Sequence, residues 1–240
     1  MALLAVEELT RRFEGIVAVD GVSLDVNEGE IVGLIGPNGA GKTTVFNLIT
    51  RLYRPDSGEI SFDGRSLLRT PAHGIVRRGI ARTFQNVELF GSMTVLEHVL
   101  MGRHARRGRR AREILGYVGL AGLAHRQARE LPYGVQKRVE LARALASGPR
   151  LLLLDEPAGG LNHEEVERLG TLIRRLRQDF ELTILLVEHH MRLVMRIADR
   201  VHVLDFGRRI ASGTPQQVQA DPAVIEAYLG APEGNGSAPA

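Results

Sequence analysis

Apolar and polar positions alternate at the start of the chain: Leu4, Val6 and Leu9, then Val22, Leu24 and Val26, with Gly15 and Gly21 between them. A period of two marks strands with one buried face, so short strands joined by tight turns are predicted, opening an antiparallel β portion. The pattern then changes. Residues 30–35 form a nearly continuous apolar run that meets a glycine-rich stretch, after which residues 43–52 have helical spacing. Further strands are predicted at 59–63, ending at Asp63-Gly64, and at 80–84. From about residue 86 to 130 the spacing is helical, with Val95, Val99 and Leu100, then Ile114, Leu115 and Val118. Strand runs return at 151–154 and 183–187, alternating with helical segments at 164–178 and 190–198, and 201–205 and 209–211 follow. Strands alternating with helices give a parallel sheet covered by helices. The predicted fold is α/β, with a parallel-sheet core, an antiparallel β subdomain and a helical insertion. A single domain over residues 1–230 is expected, the helical part inserted at about 86–147, followed by a disordered Gly/Ser/Pro/Ala tail at 231–240.

Composition narrows the function classes. The chain has 240 residues, 44% hydrophobic and 25% charged, enough to bury a core without staples. With no cysteine, thiolate zinc sites, disulfide scaffolds and cysteine nucleophiles are excluded, and a reducing compartment fits. No run approaches the roughly 20 apolar residues of a membrane-spanning helix. The N-terminal stretch lacks a basic region and a cleavage site, and is expected to be mature protein. A formal charge of +3 is too small to imply nucleic acid as a partner. Arg103, Arg106, Arg107, Arg109, Arg110 and Arg112 crowd one stretch; a solvated face is the plain reading, contact with anionic lipid headgroups the sharper one.

Chemistry concentrates at two places. Gly36-Pro37-Asn38-Gly39-Ala40-Gly41-Lys42-Thr43-Thr44 matches the phosphate-loop pattern G-x-x-x-x-G-K-[ST], follows an apolar strand and opens a helix. Glycines let main-chain N–H groups face phosphate oxygens, and the helix N-terminus adds about half a positive charge. Lys42 is expected to reach the β- and γ-phosphates, and Thr43 to offer its hydroxyl to Mg²⁺. Residues 151–156 form an apolar strand ending in Asp155 and Glu156. Alone, that pair reads as a solvated strand end. Downstream of a phosphate loop, Asp155 is expected to hold Mg²⁺, directly or through water, and Glu156 to orient or deprotonate an attacking water.

With these motifs in place the chain resembles the ATP-binding cassette ATPases, from about Leu4 to Gly230. The resemblance implies further site residues. Phe13 lies where the family places a ring that stacks on adenine. Gln85, in Ala81-Arg82-Thr83-Phe84-Gln85-Asn86, matches the glutamine whose amide approaches Mg²⁺ and the water, on a loop facing membrane subunits. His189 matches the histidine that contacts the γ-phosphate, with His190 beside it, and Gly160-Leu161-Asn162-His163 matches a loop at the interface between two copies. Leu131-Pro132-Tyr133-Gly134-Val135-Gln136 replaces the usual signature L-S-G-G-Q. Pro132 has no hydroxyl to give a phosphate, whereas Tyr133 and Gly134 are expected to meet ATP bound to the opposite subunit.

The signature Tyr-Gly, Ala81 to Gln85, Leu89-Phe90 followed by Met93-Thr94-Val95, Glu188-His189 with Met191 and Leu193-Val194, and the segment 222–229 are similar to the branched-chain amino-acid importer ATPases of LivG type. This implies an ATPase using ATP and Mg²⁺ on the cytoplasmic face of the membrane, peripherally bound. It also implies three kinds of partner: a second ATPase subunit, identical or a LivF-like paralogue, permease subunits, and indirectly a substrate-binding protein. The alternatives are a soluble cassette ATPase acting with a non-membrane complex, and a P-loop nucleotide kinase, which the signature-like segment disfavours.

Overall fold

The computed structural model describes residues 2–104 and 110–229. Two long strands open it, β1 (Ala2–Phe13) and β2 (Ile16–Asn27), joined by a two-residue turn in which Glu14 and Gly15 both have positive φ, the geometry that suits the twist of a hairpin. Gly21 is not a turn, contrary to expectation. It lies inside β2 at a register shift, where Leu9 faces Val22 but Arg11 faces Val19, so a bulge lets one long strand read as two short ones. Next come β3 (Ile31–Ile35), α1 (Lys42–Ile49), β4 (Ser57–Phe62), β5 (Arg65–Ser66), α2 (Ala72–Arg78) and β6 (Ile80–Arg82). The helical part contributes α3 (Val95–His104), α4 (Ala111–Tyr117) and α5 (Tyr133–Ala146). The remainder is β7 (Leu151–Asp155), α6 (His163–Asp179), β8 (Thr183–Val187), α7 (Met191–Ile197), β9 (Arg200–Asp205), β10 (Arg208–Gly213), α8 (Pro215–Gln219) and α9 (Pro222–Leu229).

The strands form an antiparallel sheet of order β2-β1-β4-β5 and a second sheet of order β10-β9-β3-β8-β7-β6, parallel except for β10. Strands β3, β7 and β8 are buried on both faces, which explains their unbroken apolar runs. Their side chains divide by period two. Ile31, Ile35, Leu152, Leu154, Ile184 and Leu186 pack with the helices of the insertion and with α6 and α7. Val32, Leu34, Leu151, Leu153, Leu185 and Val187 pack with α1 and the antiparallel sheet. Two cores thus share one sheet.

Three boundaries differ from expectation. α1 stops at Ile49 because Thr50 turns its hydroxyl back to the Phe46 carbonyl at 2.7 Å and Arg51 takes a left-handed φ of 61°. β6 stops at Arg82, since the Phe84 N–H goes to Glu140 Oε1 rather than to a strand. α2 was not anticipated: it is seven residues long, contains Gly74 and has no side-chain cap, so neither periodicity nor a cap announces it.

In the helical part, α3 approaches α5 so closely at Gly102 that a Cβ there would lie 2.1 Å from the Arg143 carbonyl oxygen. His98, fully buried, holds the preceding segment: Nδ1 is 2.9 Å from the Thr94 carbonyl and Nε2 accepts the Phe90 N–H at 3.0 Å, a pattern the neutral ring satisfies completely. Arg143 Nη1 adds a bond to the Glu88 carbonyl at 2.6 Å. Arg106, Arg107 and Arg109 of the basic stretch, and the expected tail at 231–240, lie outside the described residues. Among the described residues no helix is long and apolar enough to cross a membrane.

Candidate active site

Parallel strands deliver their C-terminal ends to one edge of the sheet, and β3, β8, β7 and β6 are consecutive neighbours there. The loop after β3 carries residues 36–41, that after β8 carries His189, β7 ends in Asp155 followed by Glu156, and the segment after β6 reaches Gln85. Four motifs scattered over the sequence therefore converge because of strand order alone.

The phosphate loop wraps tightly. Gly36 admits no side chain, since a Cβ would lie 2.1 Å from the Leu204 carbonyl oxygen of β9. Ala40 is buried, and its carbonyl accepts the Gly207 N–H at 3.2 Å, tying the loop to the turn after β9. Gly41, in left-handed conformation, precedes α1, whose N-terminal N–H groups and dipole favour an anion. Asn38, Gly39 and Thr43 are exposed, and Thr44 is half-buried. Lys42 is buried, its Nζ donating to the Gly36 and Pro37 carbonyls at 2.7 and 2.8 Å. Burial lowers its pKa, and the charges of Glu156 and Asp155 act the other way, which places both carboxylates within electrostatic reach.

Asp155 and Glu156 are adjacent but differently held. Asp155 is 1% exposed; Oδ2 pairs with Arg82 at 2.6 Å while Oδ1 is buried without a partner. Glu156 has a left-handed backbone, φ 45°, which sends its side chain away from the strand line. Its Oε2 accepts Gln85 Nε2 at 2.9 Å and lies 3.6 Å from His189 Nδ1. Gln85, Glu156 and His189 thus form one cluster.

The orphaned, buried Asp155 carboxylate oxygen, the exposed Thr43 hydroxyl that opens the phosphate-loop helix and the Gln85 amide oxygen offer an all-oxygen donor set. It fits Mg²⁺, which keeps several waters and takes one or two protein ligands plus phosphate oxygens. Among the described residues no group of three or more His, Cys, Asp or Glu gathers as an all-protein cage.

Phe13 stands apart from this cluster on the antiparallel sheet. The Arg11 guanidinium lies over its ring, 4.6 Å from the centroid, and Tyr53 meets it edge-on at 5.2 Å. Tyr133 and Gly134 open α5 on the other side. Tyr133 is 45% exposed and its ring lies against Gly160, while Gly134 faces Leu161 and Glu165, so this segment touches the start of α6 in the same chain. Asn162 caps α6 in a reciprocal pair with Glu165.

Two site-building residues escaped sequence reasoning as such. Arg82 grips Asp155. Glu188, fully buried, accepts three main-chain N–H groups: Ala158 at Oε1 (2.7 Å), and His189 and His190 at Oε2 (3.1 Å each). It locks the loops after β7 and β8 together. The available signal was a charged residue at the inward end of an apolar parallel strand.

The sheet order, the phosphate loop and the carboxylate cluster define a P-loop ATPase of cassette type, and the chain belongs to the ABC transporter family, whose model matches residues 19–159. A second model, branched-chain amino acid ATP-binding cassette transporter, matches residues 208–234. The chain is 47% identical over 249 residues to the high-affinity branched-chain amino acid transport ATP-binding protein LivG of Salmonella typhimurium, covering 95% of this chain and 98% of that protein. Its fold matches the ADP conformation of an ATP-binding cassette of an ABC transporter with a TM-score of 0.87, at 31% identity over 96% of this chain and 99% of that one. It also matches a dimeric bacterial ABC transporter cassette, with a TM-score of 0.80 at 28% identity over 88% of this chain and 98% of the other. This chain is an ATP-hydrolysing cassette.

Proposed function

We propose that this cassette drives an importer of branched-chain or related hydrophobic amino acids, bound peripherally to the cytoplasmic face of the membrane and working as a pair, with an identical chain or a paralogue. The observation that carries the hydrolytic centre is the Gln85–Glu156–His189 cluster beside the phosphate loop. The C-terminal match supports the substrate class, and the likeness to a dimeric cassette supports the pair.

In this reading residues 36–44 cradle the triphosphate, Lys42 gives its remaining donor to the β- and γ-phosphates, and adenine stacks on the face of Phe13 opposite Arg11. Thr43, Asp155 and Gln85 would hold Mg²⁺, which would neutralise charge at the phosphates when bound. Glu156 accepts the proton of the attacking water, Gln85 orients that water, and His189 contacts the γ-phosphate; ADP and phosphate are the products. Tyr133 and Gly134 of one copy close over the ATP of the other, and closing and opening move the permease subunits.

A groove of about 610 Å³ lies between α2, the Gln85 segment and α3, lined by Ile75, Phe84, Phe90, Met101 and Ala144 among others. Phe90 is 58% exposed at its rim. An apolar groove beside the Gln85 loop supports permease docking there. The test is purification of the tagged chain from native membranes with identification of the chains that accompany it, for wild type and Phe90→Asp. Permease subunits with wild type and their loss with Phe90→Asp are expected. A soluble complex in place of permease chains would overturn the importer reading.

A further inference from the structure

Lys137 belongs to α5, yet its ammonium leaves that helix to join two other segments. Nζ donates to the Glu156 carbonyl at 2.9 Å and lies 3.4 Å from the Gln85 carbonyl. These are the main chains of the two residues whose side chains meet 2.9 Å apart, Gln85 Nε2 to Glu156 Oε2. The pair is therefore closed twice, by its own side chains on one side and by a single ammonium on the other. The Glu156 carbonyl also accepts the Gly159 N–H at 3.1 Å, and the Glu156 N–H donates to the Val187 carbonyl at 2.9 Å, so the left-handed backbone of Glu156 is held on both its donor and its acceptor side. A non-glycine residue in that conformation is strained and persists only where its surroundings enforce it.

We propose that Lys137 is a positioning residue for hydrolysis: by bridging the Gln85 and Glu156 carbonyls it fixes the direction of the general base and fastens it to the signature helix of the same chain. This rests on Glu156 being the base. The ammonium is flanked on two sides, by the Tyr133 ring 5.4 Å from Nζ and by Gly159, where a built Cβ would lie 3.6 Å from Nζ. Three donors on a flexible stem suit two carbonyls approached from different directions. Tyr133 and Gly134 stand about one turn from Lys137 on the same helix. In a paired cassette, contact of that helix end with the partner's nucleotide is thereby transmitted to Glu156, which serves this chain's own nucleotide.

The experiment measures ATP turnover by the full chain reconstituted with its membrane partners. Lys137→Met keeps the stem and removes the donors; kcat is expected to fall about ten-fold while KM for ATP stays within about two-fold, because Lys42 and Phe13 are untouched. Lys137→Arg, which can still reach two carbonyls, restores most of kcat; a role in packing alone would not be rescued by the bulkier side chain. In a Glu156→Gln background, Lys137→Met should add no further loss, since the two act as one unit. If Lys137→Met fails to fold, Lys137→Gln, too short to span both carbonyls, carries the same expectation. Wild-type kcat in the Lys137 variants beside an inactive Glu156→Gln overturns this proposal alone, as does a full additional loss in the double variant. Near-normal turnover in Glu156→Gln by itself removes the base assignment, and this proposal with it.

Discussion

Arg82 and Asp155 form an ion pair at 2.6 Å with side chains only 6% and 1% exposed. The same guanidinium reaches back to α1, donating to Asn47 Oδ1 at 2.7 Å and Thr50 Oγ1 at 3.2 Å, and lies over the rings of Phe46 and Phe84. One side chain thus connects the end of the phosphate-loop helix to the carboxylate that ends β7. Breaking a buried pair on one side leaves an uncompensated charge, so Arg82→Met should destabilise by about 3–5 kcal/mol. Arg82→Met combined with Asp155→Asn should recover part of that loss, a coupling that urea unfolding of the four-member cycle measures. Additive losses would mean the two residues act separately.

Acid should weaken the fold before the carboxylates titrate. Burial lowers the pKa of His98 and of His202 from 6.5, both rings being satisfied or enclosed as neutral groups. Below 6.5 the unfolded chain takes up protons at these positions that the folded chain refuses, so their contribution is complete above that pH and is lost as pH falls below it. Denaturant midpoints measured from pH 7.5 to 5.5 should decline, and His98→Asn should flatten the slope. A slope unchanged in that variant would assign the decline elsewhere.

Glu156→Gln preserves the shape of the side chain and its place beside Gln85 while removing the base. Hydrolysis should fall by about 10²-fold or more with ATP binding retained. Single-turnover kinetics beside equilibrium nucleotide binding separates the two effects, and turnover within a few-fold of wild type contradicts the assignment.

Gly134→Asp and Lys42→Ala test whether the site is shared between copies. The first sets a carboxylate where the partner's phosphate would approach, and the second cripples phosphate binding within its own chain. In mixed pairs with the cognate membrane subunits, one intact composite site should remain and occlude nucleotide, whereas either homodimer should occlude none. Occlusion no greater in the mixture than in the homodimers would favour a site contained in one chain. With a paralogous partner, the cross is made against that chain.

Local patterns that coincide with one element were legible in the sequence. β3, β7 and β8 were visible because burial on both faces leaves continuous apolar runs, and the phosphate loop because its glycines, lysine and flanking elements are contiguous. The bulge at Gly21 was misread because a mid-strand glycine and a turn glycine look alike without the partner strand. Arg82 and Glu188 were invisible as site builders because the partners that give them their role, Asp155 and Ala158, lie 73 and 30 residues away, so only tertiary contact gives them meaning. Lys137 hid for the same reason, among the many cations of a helical stretch.

Glu188 divides the cassette into what can travel and what cannot. With three amide hydrogens on one enclosed carboxylate, the loops following β7 and β8 move as a single block, and the spacing between the Glu156 and His189 segments is preset before any nucleotide arrives. Reorganisation energy at the moment of bond breaking is then small on that side of the site. Whatever stroke ATP powers must be carried by parts that bypass this knot: the α3–α5 unit and the Gln85 strand of chain. These meet the block at Gln85 Nε2 on Glu156 Oε2 and at Lys137 Nζ on the Glu156 carbonyl, so those two contacts are where motion of the helical part reaches the fixed side of the site.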